Sequence, residues 1–533
     1  MRRILARLAA VTAVLALAAC GGSSTPSSAH DPSTSRGTLV ENPPLRIASL
    51  DAPTLQADLS ASASGAQLLQ LTGAPTCGVD FYYLNFWTVG GADEPTESSG
   101  ALMVPTGSAA ACTGPRPIVL YAHGTQTDKA ANIADITDPN NTEGALIAAT
   151  FAAQGYIVVA PNYAGYDIST LGYHPYLDAT QQSDEMIDIL AAARSALPDT
   201  LSSATSDNGK LFVTGYSEGG YVAMATQRAL IAAGAKVTAA APMSGPYALE
   251  AFGDAIFFGS VDLGATVFAP LLTTGYQHAY GDIYTATTDV YSPTYASGID
   301  TLLPSTTPLA TIFASNLLPQ TALFDSTTPT VTIPGNAQLS AQLTAALAVP
   351  SNPNNPDTPL FDLGFGSSYL ITNAYRVSYA LDAAADPDGA VPTPTAGVPL
   401  AAVVPTQTLR KAFYLNDLRN GAWAPNSPTL LCGGDQDPTV FFSINTGTMQ
   451  AFWSATPAAP LISVLDVNAP PAGPFAAVQA AFQQSQAAEL AFYESPAGGG
   501  NSAAAAGQLL VEGYHAAVAP FCSLAARSFF SQF

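Results

Sequence analysis

Residues 211–220 read LFVTGYSEGG, an apolar run that leads into a serine flanked by glycines. The run predicts a buried strand, and residues 221–233 have the pattern of an amphipathic helix. Gly215-Tyr216-Ser217-Glu218-Gly219 therefore matches G-x-S-x-G between a strand and a helix, the context that a nucleophile elbow requires. Glycines are needed there because a side chain would clash in the strained turn. We expect Ser217 to be a nucleophile at the carboxyl edge of a sheet.

Strand-like and helix-like segments alternate on both sides of this motif. Helix-like segments lie around 145–154 and at 186–197, where apolar residues recur with helical spacing. Strand-like runs lie at 79–90, 100–106, 117–124, 155–165, 237–246, 430–437 and 461–467. The first two runs suggest a hairpin, and the later alternation predicts an α/β fold with a doubly wound, mostly parallel sheet.

Residues 247–400 break this alternation. They are rich in Thr, Pro, Tyr and Phe and contain few charged residues. At about 150 residues the segment is too long for a loop, so we expect a cap inserted between core segments 46–246 and 401–533. The stretch SPAGGGNSAAAAG at 495–507 is of low complexity and predicts a loop. A terminal helix is expected at about 518–530.

A serine nucleophile needs a histidine base, and the chain has five histidines. The order Ser…Asp…His of α/β hydrolases requires a late histidine. His515, in VEGYHAAVAP, is the one that follows Ser217 outside the expected cap. His123, in a His-Gly turn, is expected to brace the oxyanion loop rather than transfer protons. We therefore predict His515 as the general base.

The acid is expected at the end of a strand between the cap and His515. The stretch CGGDQDPTV at 432–440 offers two aspartates. Asp437 has the spacing from Gly434 of the G-x-x-D-x-x-V acid loop, and Asp435 is the alternative. The acid would orient His515 and stabilise its imidazolium rather than take the proton.

The oxyanion hole needs two backbone N–H groups. Glu218 supplies one because it follows the nucleophile, and its N–H belongs to a helix N-terminus with positive dipole character. The second is expected from the loop after strand 117–124, at Thr125, with Gln126 as the alternative. The side chain of Glu218 is expected to face solvent and to have no catalytic role.

Composition narrows the function classes. The chain has 533 residues, of which 48% are hydrophobic and 10% are charged. The charged share is well below the roughly 25% of an average soluble protein. Lys+Arg is 16 and Asp+Glu is 39, so the formal charge is 16 − 39 = −23. With no basic stripe, nucleic acid is not expected as a partner.

The N-terminus has the pattern of an export signal. Arg2, Arg3 and Arg7 precede the apolar stretch 8–19, which is too short to span a bilayer. LAAC at 17–20 resembles a lipobox, so we expect a signal peptide at 1–20, a lipid on Cys20 and a flexible tether at 21–45. The alternative is an ordinary cleaved signal. No later apolar stretch long enough to span a membrane is expected, and the protein is expected on the bacterial cell envelope.

Four cysteines remain after Cys20, an even number in an oxidising compartment. Four cysteines allow three pairings. We favour Cys77 with Cys112 and Cys432 with Cys522, because the second pair flanks the acid and base candidates. No cysteine or histidine pair has the close spacing of a zinc site, so no metal is expected.

Six motifs occur in the order typical of one superfamily. They are AHGTQTD (122–128), VVAPNYAGYD (158–167), GYHPY (172–176), GYSEGG (215–220), GGDQDP (433–438) and GYH (513–515). With them the chain resembles the α/β-hydrolase superfamily, and within it bacterial secreted esterase/lipase lipoproteins related to the secretory lipase family. The resemblance implies hydrolysis of small-molecule or lipid esters, with a cap over the acyl pocket and no cofactor.

Two other functions remain open on the sequence alone. A serine peptidase of the prolyl-peptidase type would use the same three residues on amides, although the cap has few charged residues to anchor a peptide terminus. A non-catalytic surface lipoprotein could keep the fold for binding, although the complete Ser/Asp/His set argues against that.

Overall fold

The computed structural model describes residues 35–197, 204–352, 357–385, 404–421 and 423–533. The expected signal peptide with Cys20, and the tether as far as residue 34, lie outside the described residues.

A nine-stranded sheet forms the centre of the molecule. Its strands are β1 (Leu45–Leu50), β2 (Gly78–Val89), β3 (Pro95–Thr106), β4 (Gly114–Ala122), β5 (Ile157–Pro161), β6 (Thr205–Tyr216), β7 (Ala239–Met243), β10 (Thr429–Gly433) and β11 (Ile462–Asp466). The spatial order is β1-β2-β3-β5-β4-β6-β7-β10-β11. Strands β1, β2, β3 and β5 pair antiparallel with one another in that order. The strands that follow in space, β5-β4-β6-β7-β10-β11, all pair parallel. The expected doubly wound, mostly parallel sheet is confirmed.

Helices cover both faces of this sheet, which is why its central strands are apolar throughout. The helices that belong to the sheet layers are α1 (Ala52–Ser60), α2 (Ala63–Thr72), α3 (Thr142–Thr150), α4 (Ala179–Ala196), α5 (Glu218–Ala232), α13 (Thr448–Ser454), α14 (Ala476–Glu494) and α15 (Ala503–Phe530). Helices α4 and α5 share a core with one face, while α3, α14 and α15 pack on the other.

Seven helices and two short strands lie between β7 and β10 in the described residues. They are α6 (Leu249–Phe257), α7 (Ala265–Tyr280), α8 (Leu309–Ala314), β8 (Phe324–Asp325), α9 (Ala337–Ala346), α10 (Thr358–Asp362), β9 (Phe365–Gly366), α11 (Asn373–Ala385) and α12 (Thr408–Asn416). The buried guanidinium of Arg410, on α12, pairs with Glu250 at 2.8 Å and Asp254 at 2.9 Å on α6, and with Asp382 at 3.2 Å on α11. These ion pairs join the three helices. Helix α12, beyond the expected boundary at residue 400, therefore packs on the inserted helices.

The C-terminal helix differs from the sequence prediction. The expected loop at 495–507 ends earlier, at residue 502, and the expected helix start at 518 is wrong, because α15 already begins at Ala503. Ser502 caps it by accepting the N–H of Ala505 at 3.3 Å. The run of alanines after this serine, read as low complexity, is a strong helix former. His515 consequently lies inside a long helix and not in a loop.

Helix α15 is long and apolar enough to cross a membrane by length and composition. Its buried side chains include Val518, Phe521 and Phe529, which belong to the core beneath the sheet. One such helix is weak evidence for a membrane span, because a core helix meets the same criteria, and 39% of the apolar 18-residue window of α15 is buried.

Two disulfides pair the four cysteines as the sequence predicted. Cys77 bonds Cys112 across a separation of 35 residues, and Cys432 bonds Cys522 across 90. The second bond ties β10 to α15, the elements next to Asp437 and around His515.

Replacing both Cys432 and Cys522 with alanine should lower the free energy of unfolding by about 4 kcal/mol. This is the loop-closure entropy expected for a cross-link over about 90 residues, less any strain. Thermal unfolding of the double variant against the wild type measures the change. Non-reducing peptide mapping of the wild type should give a 432–522 linked peptide, and a 77–432 or 77–522 link would contradict the assignment.

Candidate active site

Ser217 occupies the turn between β6 and α5. Its backbone has φ 61° and ψ −123°, a strained conformation that projects the side chain from the end of the strand. The turn is possible because α5 approaches β4 closely. A Cβ at Gly219 would lie 1.9 Å from the carbonyl oxygen of Ala122. Gly219, the last residue of the G-x-S-x-G motif, must therefore be a glycine because the backbone of β4 leaves no room for a side chain.

The structure brings Ser217, His515 and Asp437 into one hydrogen-bonded chain. Nε2 of His515 lies 2.8 Å from Oγ of Ser217, and Nδ1 lies 2.7 Å from Oδ2 of Asp437. The other oxygen of Asp437 accepts the backbone N–H groups of Thr439 at 2.9 Å and Val440 at 3.0 Å. The buried carboxylate is thus fixed from two sides, and it orients the imidazole toward the serine.

Asp435, the alternative acid, lies elsewhere. Its side chain is exposed and accepts a hydrogen bond from Nδ2 of Asn468 at 2.9 Å. Its backbone N–H donates to Asp466 at 3.1 Å. Among the two aspartates of the acid loop, Asp437 is the one in contact with His515.

The ring of His515 also packs beside Tyr216, with the two ring centroids 5.0 Å apart. The hydroxyl of Tyr216 donates to the backbone carbonyl of His515. The residue before the nucleophile therefore holds the helix that carries the base. This contact has no signal in the sequence, because the two residues are far apart in the chain.

Thr125 and Glu218 are the two residues from which backbone N–H groups for an oxyanion are expected. Glu218 begins α5, and Thr125 lies in the loop after β4 and lines the same cavity as Ser217. Within the described residues, neither N–H is recorded as donating a hydrogen bond. Both groups are therefore available to an oxyanion, which is the role that the sequence predicted for them.

The loop that carries Thr125 is held by buried groups. The ring nitrogens of His123 lie 2.7 Å from the carbonyl of Gly124 and 3.2 Å from that of Asn162, in line with a bracing role. The N–H of Gly124 donates to both carboxyl oxygens of Glu143 at 3.1 Å. Burial raises the pKa of Glu143. Glu143 was not predicted as a site residue, because an acidic residue in the first turn of a helix is usually found at the surface.

The expectation that the Glu218 side chain faces solvent is wrong. The carboxyl group is fully buried, and Oε1 lies 2.8 Å from Nε2 of His174 and 2.6 Å from Nε2 of Gln182. Nδ1 of His174 lies 2.9 Å from the carbonyl of Ala164 and so carries a proton. A hydrogen bond therefore joins Nε2 of His174 to the buried carboxyl group. The motif GYHPY marked this histidine without revealing its partner.

Two cavities meet at Ser217. The larger, of about 1060 Å³, is lined by the loop 124–127, by parts of α1 and α2, and by His515. The smaller, of about 80 Å³, lies among the inserted helices and is lined almost entirely by apolar side chains. His515 lines the first cavity only, within the described residues. A bound molecule spanning both cavities would place its reacting atom at Ser217.

Comparisons with known proteins found one family pattern and several similar solved structures. The pattern of the prolyl oligopeptidase family matches residues 144–244, which contain the serine elbow. No curated protein matches the sequence. The solved structure of LipA, a rice cell wall degrading esterase from Xanthomonas oryzae, is 25% identical with a TM-score of 0.59, covering 81% of this chain and 91% of that one.

A putative hydrolase from Legionella pneumophila shares the fold, with 17% identity and a TM-score of 0.53 over 93% of this chain and 97% of that one. The sheet order, the serine elbow and these similarities together show that the chain is a serine hydrolase of the α/β-hydrolase superfamily.

Proposed function

We propose that this protein is an exported serine esterase that hydrolyses carboxylic esters through an acyl-enzyme on Ser217. The observation that carries the proposal is the hydrogen-bonded chain from Ser217 through His515 to Asp437, with distances of 2.8 and 2.7 Å. It lies where an apolar pocket meets a larger cavity, so that a substrate can extend to both sides of the nucleophile.

The reaction begins when Nε2 of His515 takes the proton of Ser217 as Oγ attacks the ester carbonyl. The carbonyl oxygen becomes an oxyanion, which the N–H groups of Thr125 and Glu218 stabilise. The tetrahedral intermediate then loses the alcohol, whose oxygen receives the proton from His515. A water molecule, deprotonated by His515, repeats the attack on the acyl-enzyme and releases the acid.

The two cavities take different parts of the ester. The leaving alcohol receives its proton from His515, so it lies in the larger cavity, which His515 lines. The acyl group then extends into the small apolar pocket among the inserted helices. The size of this pocket favours short acyl groups. The similarity to LipA, an esterase by description, agrees with an ester as the substrate.

The prolyl oligopeptidase match favours one other candidate, a serine peptidase. That match ends at residue 244 and does not reach Asp437 or His515. In the described residues, the acyl pocket is lined by no lysine, arginine or histidine that could anchor a peptide terminus. Hydrolysis rates on p-nitrophenyl esters against aminoacyl-nitroanilides separate the two functions, and we expect cleavage of the esters.

Changing Ser217 to Ala should lower kcat on a p-nitrophenyl ester by roughly a million-fold, because the three catalytic residues act as a unit. Changing Asp437 to Asn should lower it by about ten-thousand-fold, since the imidazole then loses its correct tautomer.

Asp435→Asn is the matched control for Asp437→Asn. It changes the neighbouring carboxylate in the same loop without touching His515, and it should retain most of the activity. A larger loss for Asp435→Asn than for Asp437→Asn, or near wild-type activity of a folded Ser217→Ala protein, would contradict the proposed mechanism.

The His174–Glu218 pair should matter to catalysis because His174 bonds a buried carboxyl group next to the proposed oxyanion hole. His174→Ala leaves the buried Glu218 carboxyl without its partner, directly behind an N–H of the oxyanion hole, and should lower kcat about 100-fold with little change in KM. Glu218→Gln should cost less, because a neutral amide keeps hydrogen bonds to both neighbours. Steady-state kinetics of both variants give kcat and KM separately.

The double variant His174→Ala/Glu218→Gln distinguishes charge from packing. Removing the unpaired carboxyl should restore part of the activity lost in His174→Ala. If the double variant is no faster than His174→Ala, the histidine acts only by filling space.

We further propose that Cys20 carries a lipid that holds the enzyme on the bacterial envelope. When cells are grown with a labelled fatty acid, the wild-type protein should carry the label and sediment with membranes. Cys20→Ala should be unlabelled and should shift to the soluble fraction, since a signal peptide alone gives no anchor. An unlabelled wild-type protein would contradict the lipid anchor and would favour the alternative, an ordinary cleaved signal peptide.

A further inference from the structure

Asp262 is a buried carboxyl group beside the proposed acyl site that the mechanism does not use. It lies in the loop between α6 and α7, and its side chain lines the small apolar pocket together with Ser217. The next residue, Leu263, donates its N–H to the carbonyl of Pro438 at 3.0 Å. This bond holds Asp262 beside the acid loop of Asp437, at the end of the pocket where the chemistry occurs.

The carboxyl group of Asp262 has spare hydrogen-bonding capacity. The residue is only 5% exposed, and its Oδ1 has no hydrogen-bond partner in the described part of the chain. Burial raises its pKa well above the usual value, and the nearby negative charge of Asp437 raises the pKa further. The group therefore offers an unpartnered oxygen to a bound molecule. Glu218 also lines the pocket and has an oxygen, Oε2, without a partner in the described residues, but its Oε1 is bonded to His174 and Gln182, whereas no side-chain bond holds Asp262 there.

Two further polar side chains around the pocket are engaged. The hydroxyl of Thr273 bonds that of Tyr291, and the hydroxyl of Tyr176 bonds Oγ1 of Thr125 at 2.8 Å. Much of the remaining lining is apolar, for example Phe252 and Leu272. A buried polar atom without a partner destabilises the fold, so its presence in a ligand pocket points to a partner on the ligand.

We propose that Asp262 forms a polar subsite that recognises a hydroxyl group on the acyl chain of the substrate. The preferred substrates are then short hydroxyacyl esters. This proposal rests on the proposed esterase function and adds the class of acyl group.

A hydroxyl group fits the subsite better than a charged group does. Its O–H can donate to the unpartnered Oδ1 of Asp262, and its oxygen can accept a second hydrogen bond. A carboxylate on the substrate would be repelled by Asp437 and would find no cation in the described lining. An ammonium group would require ionised Asp262, a second negative charge next to Asp437 in a buried site. Because Asp262 lies at the Ser217 end, the hydroxyl belongs on carbon 2 or 3 of the acyl chain.

The test compares kcat/KM of the full-length protein on methyl butyrate with that on methyl 2-hydroxybutyrate and both enantiomers of methyl 3-hydroxybutyrate. Release of acid is followed by titration at constant pH. The wild type should prefer at least one hydroxy ester over methyl butyrate by roughly tenfold, the value of one well-placed hydrogen bond. The measured quantity is the ratio between two esters, so a general loss of activity does not affect it.

Asp262→Leu removes the polar group at similar volume and should bring the ratio to about one or below. Asp262→Ala carries the same prediction if the leucine variant does not fold, as judged by thermal unfolding. Thr273→Val is the matched control, because it removes a hydroxyl from the same pocket that is already bonded to Tyr291, and it should keep the wild-type ratio.

The possible failures are distinguishable. If the wild type cleaves methyl butyrate through Ser217 and prefers no hydroxy ester, the subsite proposal is overturned and the esterase function stands. If a preference exists but persists in both Asp262 variants, another group recognises the hydroxyl and the proposal is again overturned. If no ester is cleaved, the proposed function itself fails.

Discussion

The active-site geometry depends on the close approach of α5 to the strands on either side of it. A Cβ at Gly219 would lie 1.9 Å from the carbonyl of Ala122 at the end of β4, and one at Gly220 would lie 2.2 Å from that of Met243 at the end of β7. The helix N-terminus is thereby held between the carboxyl ends of two parallel strands. The loops that follow β4 and β7 must leave the sheet around it, and these loops carry Thr125 and lead into the inserted helices. The nucleophile, the oxyanion donors and the acyl pocket therefore share one constraint.

The base and the acid reach this point by a different route. His515 comes from a helix on the other face of the sheet, and Asp437 comes from the loop after β10. Three contacts fix their relative position: the disulfide between Cys432 and Cys522, the hydrogen bond from Tyr216 to the carbonyl of His515, and the backbone N–H groups that hold Asp437. A base on a regular helix has less freedom than one on a loop. The disulfide then fixes that helix against the strand that carries the acid.

The sequence predicted the parts of this site that are governed by local pattern. The motif around Ser217 and the chain order of Asp437 and His515 follow from chemistry that needs fixed residue types at fixed places. The helical position of His515 was missed because a run of alanines after Ser502 has no apolar periodicity, although alanine is the best helix former. The burial of Glu218 was missed for another reason. The direction of its side chain is set by His174 and Gln182, which are distant in sequence, and no local pattern encodes such a contact.

Buried carboxyl groups surround the place where negative charge develops during the proposed reaction. Glu143 bonds the N–H of Gly124, Glu218 follows the nucleophile and bonds His174, and Asp262 lines the same small pocket as Ser217 and Glu218. Ionised, each would oppose an oxyanion in a site of low polarity. Burial raises the pKa of Glu143 and Asp262, which disfavours their ionised forms, and the carboxyl group of Glu218 is bonded to His174. Asp437 is the carboxyl group that contacts His515, whose imidazole gains a proton in the proposed reaction. The Glu143 and Glu218 carboxyl groups position the loops through hydrogen bonds, while Asp437 is held against the imidazole of His515.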